Sequence, residues 1–275
     1  MLSSLLLYLG GAKSASEIIS LGVDLATRHG ARIRGLTLLD TRRFTELATT
    51  CESAAYCTAE SGRLSRVDRT HDDIRLKLST DCLKAGINFD VRRLRGDPFE
   101  VLPRECQFHD LVITGFQPSH DWAFEQGLTA SEVTNLIWHG VQPLLVLRSP
   151  PQLIRRVLLV TDGMPAAAKA IRQYLSQELF PTADHRLLAI GETDHQAKEL
   201  LRELAEYGRG QKKPRFESGW LRGSVRSSLL AYAEKWQADL VVTGIARRNP
   251  VLRTLQTEMT EQILRKTSMG LYVMG

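Results

Sequence analysis

The sequence lacks the long apolar segments of membrane-spanning and exported proteins. Its opening run, Leu5–Leu9, is short and follows no basic residue, and no segment approaches the ~20 apolar residues that cross a bilayer. Cysteine is scarce too, and the four residues form no CxxC pair: Cys51, Cys57, Cys82 and Cys106. We therefore predict a cytoplasmic protein with reduced, structural thiols, no membrane contact and no metal site.

The sequence also lacks the local motifs of several enzyme classes. It contains no G-x4-G-K-[ST] loop, no G-x-G-x-x-G after its first predicted strand, no G-x-S-x-G elbow and no H-E-x-x-H pair. His120 and Asp121 suit a general base with a neighbouring carboxylate, but the spacing identifies no nucleophile for them. No catalytic residue is predicted.

Positive charge is in modest excess and is not arranged for nucleic acid. The net charge of +5 is concentrated in two short runs, Arg92–Arg95 and Gly208–Arg215. Neither run has the aromatic residues that stack on bases, and neither forms a long basic stripe. We interpret both as solvated charge at strand ends and loops, and predict no nucleic-acid partner.

What the chain does contain is an internal repeat. The segment DLVITG at Asp110–Gly115 matches DLVVTG at Asp239–Gly244, and each is a β-branched apolar run closed by glycine. An Arg-Gly pair precedes each segment, at Arg95 and Arg222, with a helical stretch between. The starts and the ends of the two halves also match: Leu5–Gly11 with Val157–Gly163, and Pro143–Leu147 with Gly270–Met274.

Strands alternate with helices in both halves, which predicts two α/β units, each a doubly wound, five-stranded parallel sheet with about four helices. We place copy one at 1–150 and copy two at 151–275, joined by the proline-containing linker Arg148–Arg155. Copy one has additional residues at Thr41–Arg69, which we expect to be irregular. The principal predicted elements are strands at Ile33–Leu39, His185–Ile190 and Arg215–Trp220, and helices at Asp72–Lys84, Pro98–Phe108, Pro165–Gln177, Asp194–Tyr207 and Val225–Trp236.

This pattern resembles the universal stress protein family in its tandem form, over nearly the whole chain. In that family the first strand ends in Asp-Gly, as VLLVTDG does at Asp162 and Gly163. The fourth strand opens a G-x2-G-x9-G-[ST] loop that holds the ribose and phosphates of ATP in nucleotide-binding members. Glycine lets backbone N–H groups approach phosphate, and the following helix N-terminus favours negative charge.

The resemblance assigns ten residues to two candidate nucleotide sites, both of which depart from the family pattern. Copy one has Gly10 in place of the aspartate on the adenine side, and Ala130-Ser131 where the family has Gly-Ser. Copy two keeps the aspartate, but has Arg247 in place of the second glycine and Thr257-Glu258 at the loop closure. The assigned residues are Gly10, Gly11, Gly115, Ala130, Ser131, Asp162, Gly163, Gly244, Arg247 and Thr257.

A purely structural interpretation stays open beside this one. Gly115 and Gly244 would then form strand-to-helix turns, and Asp162 would cap the helix that starts near Pro165. Trp122 and Phe124 in the copy-one loop would fold over the pocket or form a contact patch for a partner.

The resemblance implies a non-catalytic stress-response protein with degenerate nucleotide pockets that acts through an unknown protein partner. It also implies an intramolecular pseudo-dimer through the last strands, with contact between Leu144–Leu147 and Leu271–Met274, and a possible homodimer. Two alternatives remain: an ATP-binding sensor that uses copy two, and a weak nucleotide hydrolase anchored on Asp162.

Overall fold

The computed structural model describes residues 2–10, 12–41, 54–116, 128–139, 143–148, 153–191, 193–210, 216–222, 225–245 and 260–275. Its strands are β1 (Ser4–Tyr8), β2 (Arg32–Asp40), β3 (Phe89–Gly96), β4 (Leu111–Phe116), β5 (Leu144–Arg148), β6 (Arg156–Thr161), β7 (Asp184–Gly191), β8 (Glu217–Arg222), β9 (Leu240–Gly244) and β10 (Gly270–Met274). Its helices are α1 (Ala12–His29), α2 (Ala54–Ala85), α3 (Pro98–Cys106), α4 (Ala130–Trp138), α5 (Pro165–Gln177), α6 (Asp194–Gly210) and α7 (Val225–Trp236). Residues 260–266 are also helical.

The described elements confirm the predicted fold class, two tandem α/β units with parallel sheets. The helices predicted at Pro165–Gln177 and Val225–Trp236 have the predicted bounds. The other predicted elements shift by a few residues at their ends, except the helix predicted at Asp72–Lys84, which begins much earlier, at Ala54. By contacts the chain forms two compact units. The N-terminal unit comprises Leu2–Glu132, and the C-terminal unit comprises Val133–Arg148 with Gln152–Gly275.

The N-terminal unit contains four parallel strands in the order β3-β2-β1-β4. All five residues of β1 and all six of β4 are buried, as expected of central strands covered on both faces. Because β1 and β4 are hydrogen-bonded neighbours, with Tyr8 beside Thr114, their carboxyl ends lie side by side. This edge is where the sequence places the copy-one site.

The C-terminal unit contains six strands in the order β5-β10-β9-β6-β7-β8. Five of them are parallel, whereas β5 runs antiparallel to β10, with Leu145 opposite Tyr272 and Val146 opposite Leu271. The predicted contact between the last strands of the two copies is therefore confirmed. By contacts, β5 and most of α4 belong to the C-terminal unit although they are copy-one sequence.

The core of the C-terminal unit includes a pair of buried tyrosines. The rings of Tyr174 and Tyr272 meet edge to face at 5.3 Å. The hydroxyl of Tyr272 donates to Oε1 of the buried Gln177 at 2.9 Å, and the hydroxyl of Tyr174 lies 3.1 Å from Nε2 of His185. Burial raises the pKa of both tyrosines, so their hydroxyls stay protonated.

The expectation that Thr41–Arg69 is irregular is wrong for its second part. Helix α2 begins at Ala54 and continues through the predicted helix to Ala85. The segment contains no proline, and from residue 67 onward it buries one narrow stripe at helical spacing: Val67, His71, Ile74, Leu78 and Cys82. The rest of the helix surface is largely polar, which hid the periodicity. Residues 42–53 lie outside the described part of the chain.

The thiols described, Cys82 and Cys106, are free and buried. Burial raises the pKa of the Cys82 thiol to about 11 and also raises that of Cys106, so both stay protonated and unreactive at neutral pH. Cys51 and the side chain of Cys57 lie outside the described residues. Among the residues described, no helix is long and apolar enough to cross a membrane, and no cluster of His, Cys, Asp and Glu suits a metal ion.

Candidate functional site

In copy two, the chain leaves β6 through a tight turn built around Asp162. The Oδ1 atom of Asp162 accepts a hydrogen bond from the backbone N–H of Met164 at 3.0 Å. Gly163 has φ +79°, a backbone conformation that side chains with a Cβ rarely adopt. The turn delivers the chain into α5, where Pro165 occupies the first helical turn.

The alternative that Asp162 caps this helix needs correction. The residue at the N-cap position is Met164, which makes no side-chain capping bond. Asp162 lies two residues earlier and holds the N–H of Met164 in an Asx turn, so it shapes the entry to the helix. Its side chain is half-buried, and Oδ2 makes no hydrogen bond within the described residues.

The glycines that close β4 and β9 allow a helix to approach each strand closely. A Cβ added to Gly244 would lie 2.0 Å from the carbonyl oxygen of Ala166 in the first turn of α5. A Cβ added to Gly115 would lie 2.2 Å from Oγ of Ser14 in α1. Both glycines lie within their strands and not in the predicted strand-to-helix turns. Each has a packing role whether or not a nucleotide binds, and the requirement for glycine is stricter at Gly244, where the neighbouring atom belongs to the backbone.

At Gly10, the space that a side chain would use is already filled. A Cβ added there would lie 2.6 Å from both Cζ and Oη of Tyr8, so the Tyr8 ring lies directly over Gly10. Tyr8 is 6% exposed. The aspartate that the family resemblance expects at position 10 does not fit unless this ring moves.

The N-terminus of α4 carries a capping box that the sequence analysis missed. The N–H of Glu132 donates to Oγ1 of Thr129 at 3.3 Å, while Oε2 of Glu132 accepts from the Thr129 N–H at 2.9 Å and lies 3.0 Å from its Oγ1. The spacing T-x-x-E is the signature of this motif and was readable in the sequence. Ala130 and Ser131, two of the predicted site residues, lie between the two capping residues, and Glu132 itself is 7% exposed.

The remaining candidates in the loops lie outside the described residues. These are Gly11, Arg247 and Thr257 of the predicted sites, with His120, Asp121, Trp122 and Phe124 of the copy-one loop. Within the described part, the structure brings Asp162 and Gly163 to the same sheet edge as Gly244, because β6 and β9 are neighbours. It does the same for Gly10 and Gly115 through β1 and β4.

The opposite edge of each sheet carries a matching aspartate that sequence reasoning placed only as a strand start. Asp110 accepts through Oδ2 from the backbone N–H groups of Ser3 and Ser4 at 2.6 and 3.0 Å. Asp239 accepts through Oδ2 from those of Arg155 and Arg156, both at 2.8 Å. The recurrence of Asp in both DLV segments was the signal, and its role is to tie the start of the fourth strand of each copy to the start of the first.

The arginine run of β3 is paired with carboxylates. Arg92 lies 3.1 Å from Glu105, Arg93 forms an ion pair with Asp68, and on the neighbouring strand Arg34 lies 2.8 Å from Asp90. These exposed pairs add little stability, but they neutralise most of the local positive charge. The other basic run, 208–215, has no described side chains.

Comparison with known proteins agrees with this fold. Residues 153–273 match the model of the universal stress protein family. A universal stress protein of Synechocystis sp. is 24% identical over 97% of this chain and 98% of its own length. The fold is similar to that of a universal stress protein from Archaeoglobus fulgidus, with a TM-score of 0.69, 13% identity and coverage of 98% of this chain and 95% of that one. A putative universal stress protein from Pseudomonas aeruginosa gives a TM-score of 0.67 at 11% identity, covering 99% and 93%.

Proposed function

We propose that this protein is a non-catalytic, cytoplasmic stress-response protein with degenerate nucleotide pockets that acts through protein partners, because residues 153–273 match the universal stress protein family and 97% of the chain aligns with a universal stress protein. The observation that carries this proposal is the capping box at the N-terminus of α4. The family resemblance places phosphate beside this helix N-terminus, and here the buried carboxylate of Glu132 already supplies the negative charge. A phosphate would meet electrostatic repulsion in place of a free helix end.

The adenine side of the copy-one pocket supports the same proposal. The ring of Tyr8 lies over Gly10, and no carboxylate stands at that position to recognise a base. In copy two the residue aligned with Tyr8 is Val160 and the residue aligned with Gly10 is Asp162. Copy one therefore has both a tyrosine ring over Gly10 and a capped helix end.

A second candidate, an ATP sensor that uses copy two, is favoured by one observation. Asp162 keeps one carboxylate oxygen without a hydrogen bond among the described residues, at the edge where β6 and β9 end. A base amino group is a suitable donor to such an oxygen. The hydrolase alternative gains no such support, since the described residues offer no general base beside Asp162.

Nucleotide content and affinity test the proposal directly. The purified protein is denatured and the supernatant chromatographed, and calorimetry with millimolar ATP follows. We expect no stoichiometric nucleotide and no dissociation constant below about 1 mM, which corresponds to roughly 4 kcal/mol of binding free energy. A micromolar affinity for ATP that Asp162→Ala abolishes would contradict the proposal that the copy-two pocket is degenerate, and would establish the sensor.

The capping box has its own test. Glu132→Ala should destabilise the fold by about 1 kcal/mol, because Thr129 loses its reciprocal partner. ATP binding should stay absent in this variant. It should also stay absent in the double variant Tyr8→Val, Gly10→Asp, which keeps Glu132. If the unmodified protein binds ATP in a manner that Glu132→Ala strengthens and Asp162→Ala leaves unchanged, copy one is a working site and the proposal is wrong.

Complementation separates a partner-mediated role from nucleotide sensing. In a host from which the gene has been deleted, the wild-type protein should restore survival under starvation or oxidative stress. We expect Asp162→Ala to restore it equally. Loss of rescue by a folded Asp162→Ala variant would instead favour the sensor.

The antiparallel pairing of β5 and β10 supports an intramolecular pseudo-dimer. Light scattering distinguishes a monomer, at the chain mass of 30.8 kDa, from a further homodimer at twice that mass.

A further inference from the structure

The C-terminal unit contains a cavity at the sheet edge opposite the predicted nucleotide site. It has a volume of about 650 Å³ and lies where β6, β9 and β10 begin. We name it the amino-edge cavity and define it by its lining: Arg155, Arg156, Glu234, Gln237, Ala238, Asp239, Lys266, Thr267, Ser268 and Met269. This volume is within the range of small-molecule sites, roughly 300–1,000 Å³.

Hydrogen bonds hold two charged side chains in the wall of this cavity. Asp239 accepts from the backbone N–H groups of Arg155 and Arg156, so part of its charge is already compensated. One end of the Arg156 guanidinium donates to the carbonyl of Trp236 at 3.1 Å and to Oε1 of Gln237 at 2.9 Å. The other N–H groups of Arg156 have no partner among the described residues, and the group is held in position before any ligand arrives.

The same edge of copy one differs from the amino-edge cavity in its residues. There the corresponding aspartate, Asp110, makes the same two backbone hydrogen bonds, but the residue before it is His109. The imidazole of His109 is 4% exposed and lies 2.8 Å from Oγ of Ser4. Copy two has Ala238 at the histidine position and arginines at the positions of Ser3 and Ser4. Copy two therefore has no ring at this position and carries two arginines that copy one lacks.

Charge in the cavity favours an anion. Arg155 and Lys266 are exposed and make no ion pair within the described residues, and Arg156 adds a third cation. Against these stand Asp239, which is bound to two backbone N–H groups, and Glu234. Two helix C-termini, at Trp236 and at Lys266, oppose an anion. The carbonyl of Trp236 is covered by the Arg156 guanidinium, and the second helix ends on the cation Lys266 itself.

We propose that the amino-edge cavity binds a small phosphorylated metabolite. Arg155, Arg156 and Lys266 would hold the phosphate, because a planar guanidinium presents paired donors and an ammonium adds a point charge. Ser268 and Glu234, also in the lining, are suited to hydroxyl or amino groups of the same molecule. The site is separate from the carboxyl edge, so it does not depend on whether either nucleotide pocket works.

The test titrates the full-length, isotope-labelled protein with inorganic phosphate and with ribose 5-phosphate, using sodium chloride at equal ionic strength as the reference. We expect amide shifts at Ala238 and Ser268, with the sugar phosphate binding more tightly than phosphate. Equal affinity for inorganic phosphate and for ribose 5-phosphate would overturn the proposal that the ligand is a phosphorylated metabolite. Shifts at Asp162 and Gly163, without shifts at Ala238 and Ser268, would place binding at the carboxyl edge and overturn the proposal.

Variants locate the ligand. Arg155→Ser and Lys266→Ser should each weaken binding about tenfold, which is the factor associated with ~1.4 kcal/mol. Arg172→Ser, an exposed arginine on α5 outside the cavity, should leave the affinity unchanged. Ala238→His, which restores the copy-one ring, should abolish binding. If this variant fails to fold, the two serine substitutions decide, and unchanged affinity in both overturns the proposal.

Discussion

His109 should make the protein less stable as the pH falls below 6.5. The pKa of this imidazole is lowered from 6.5 to about 4, mainly by burial and in addition by the positive charges of Arg34 and Arg32. Asp90 and Asp110 act in the opposite direction and do not compensate. Nε2 of His109 has no hydrogen-bond partner in the described structure, so a charged ring would gain no acceptor there.

The sign and size follow from linkage. The pKa in the folded state is lower than in the unfolded chain, so the unfolded chain binds the proton more tightly and the stability present above pH 6.5 is lost as the pH falls towards 4. Between pH 7 and pH 5 the loss would reach about 2 kcal/mol for a fully desolvated ring. Arg32 is exposed and Arg34 partly so, and solvent screens their repulsion, so we expect about 1 kcal/mol.

Two measurements check this expectation. Chemical denaturation at pH 7 and pH 5 is compared between the wild type and His109→Gln, whose amide does not titrate, so that the difference removes the contribution of other groups. Because a chain with two compact units need not unfold in one step, the imidazole is also titrated directly by NMR. An imidazole that titrates at pH 6.5 or above, or an identical pH dependence in His109→Gln, would refute the reasoning.

Two further predictions concern packing and a buried hydrogen bond. Gly244→Ala should lose more than about 3 kcal/mol of stability, because its Cβ would lie 2.0 Å from a helix carbonyl. The control Gly62→Ala, in α2 with open space around it, should be neutral or stabilise by up to about 1 kcal/mol. Equal effects of the two substitutions in thermal denaturation would contradict the close approach at Gly244. Tyr272→Phe should cost about 1–2 kcal/mol by removing the hydroxyl that donates to Gln177, while Tyr232→Phe, which loses only a 3.4 Å contact with Arg186, should stay within about 0.5 kcal/mol of wild type in the same assay.

Local patterns were enough for most of the fold. The buried strands β4 and β9 are continuous apolar runs closed by glycine, and Pro165 starts α5 because proline suits the first helical turn. Helix α2 was underestimated because its buried stripe is narrow and its remaining surface polar. A pattern that depends on a few apolar residues is easily lost among charges.

The candidate sites were less predictable. The sequence showed that Gly10 stands where an aspartate was expected, but that the Tyr8 ring fills this space depends on a rotamer. The capping box of Thr129 and Glu132 could have been read from its spacing. The amino-edge cavity could not, because its lining comes from three segments far apart in the chain.

The sequence by itself determined the duplication, the strand and helix order, the resemblance to a family and the departures from its motif in each copy, because these depend on composition and on spacing along the chain. The tertiary structure decided which side chains meet. It placed β5 against β10, tied Asp239 to the start of β6, and left a cavity beside Ala238 where copy one packs His109. Such contacts join residues separated by many positions, and their energies depend on distance and burial, which no local pattern contains.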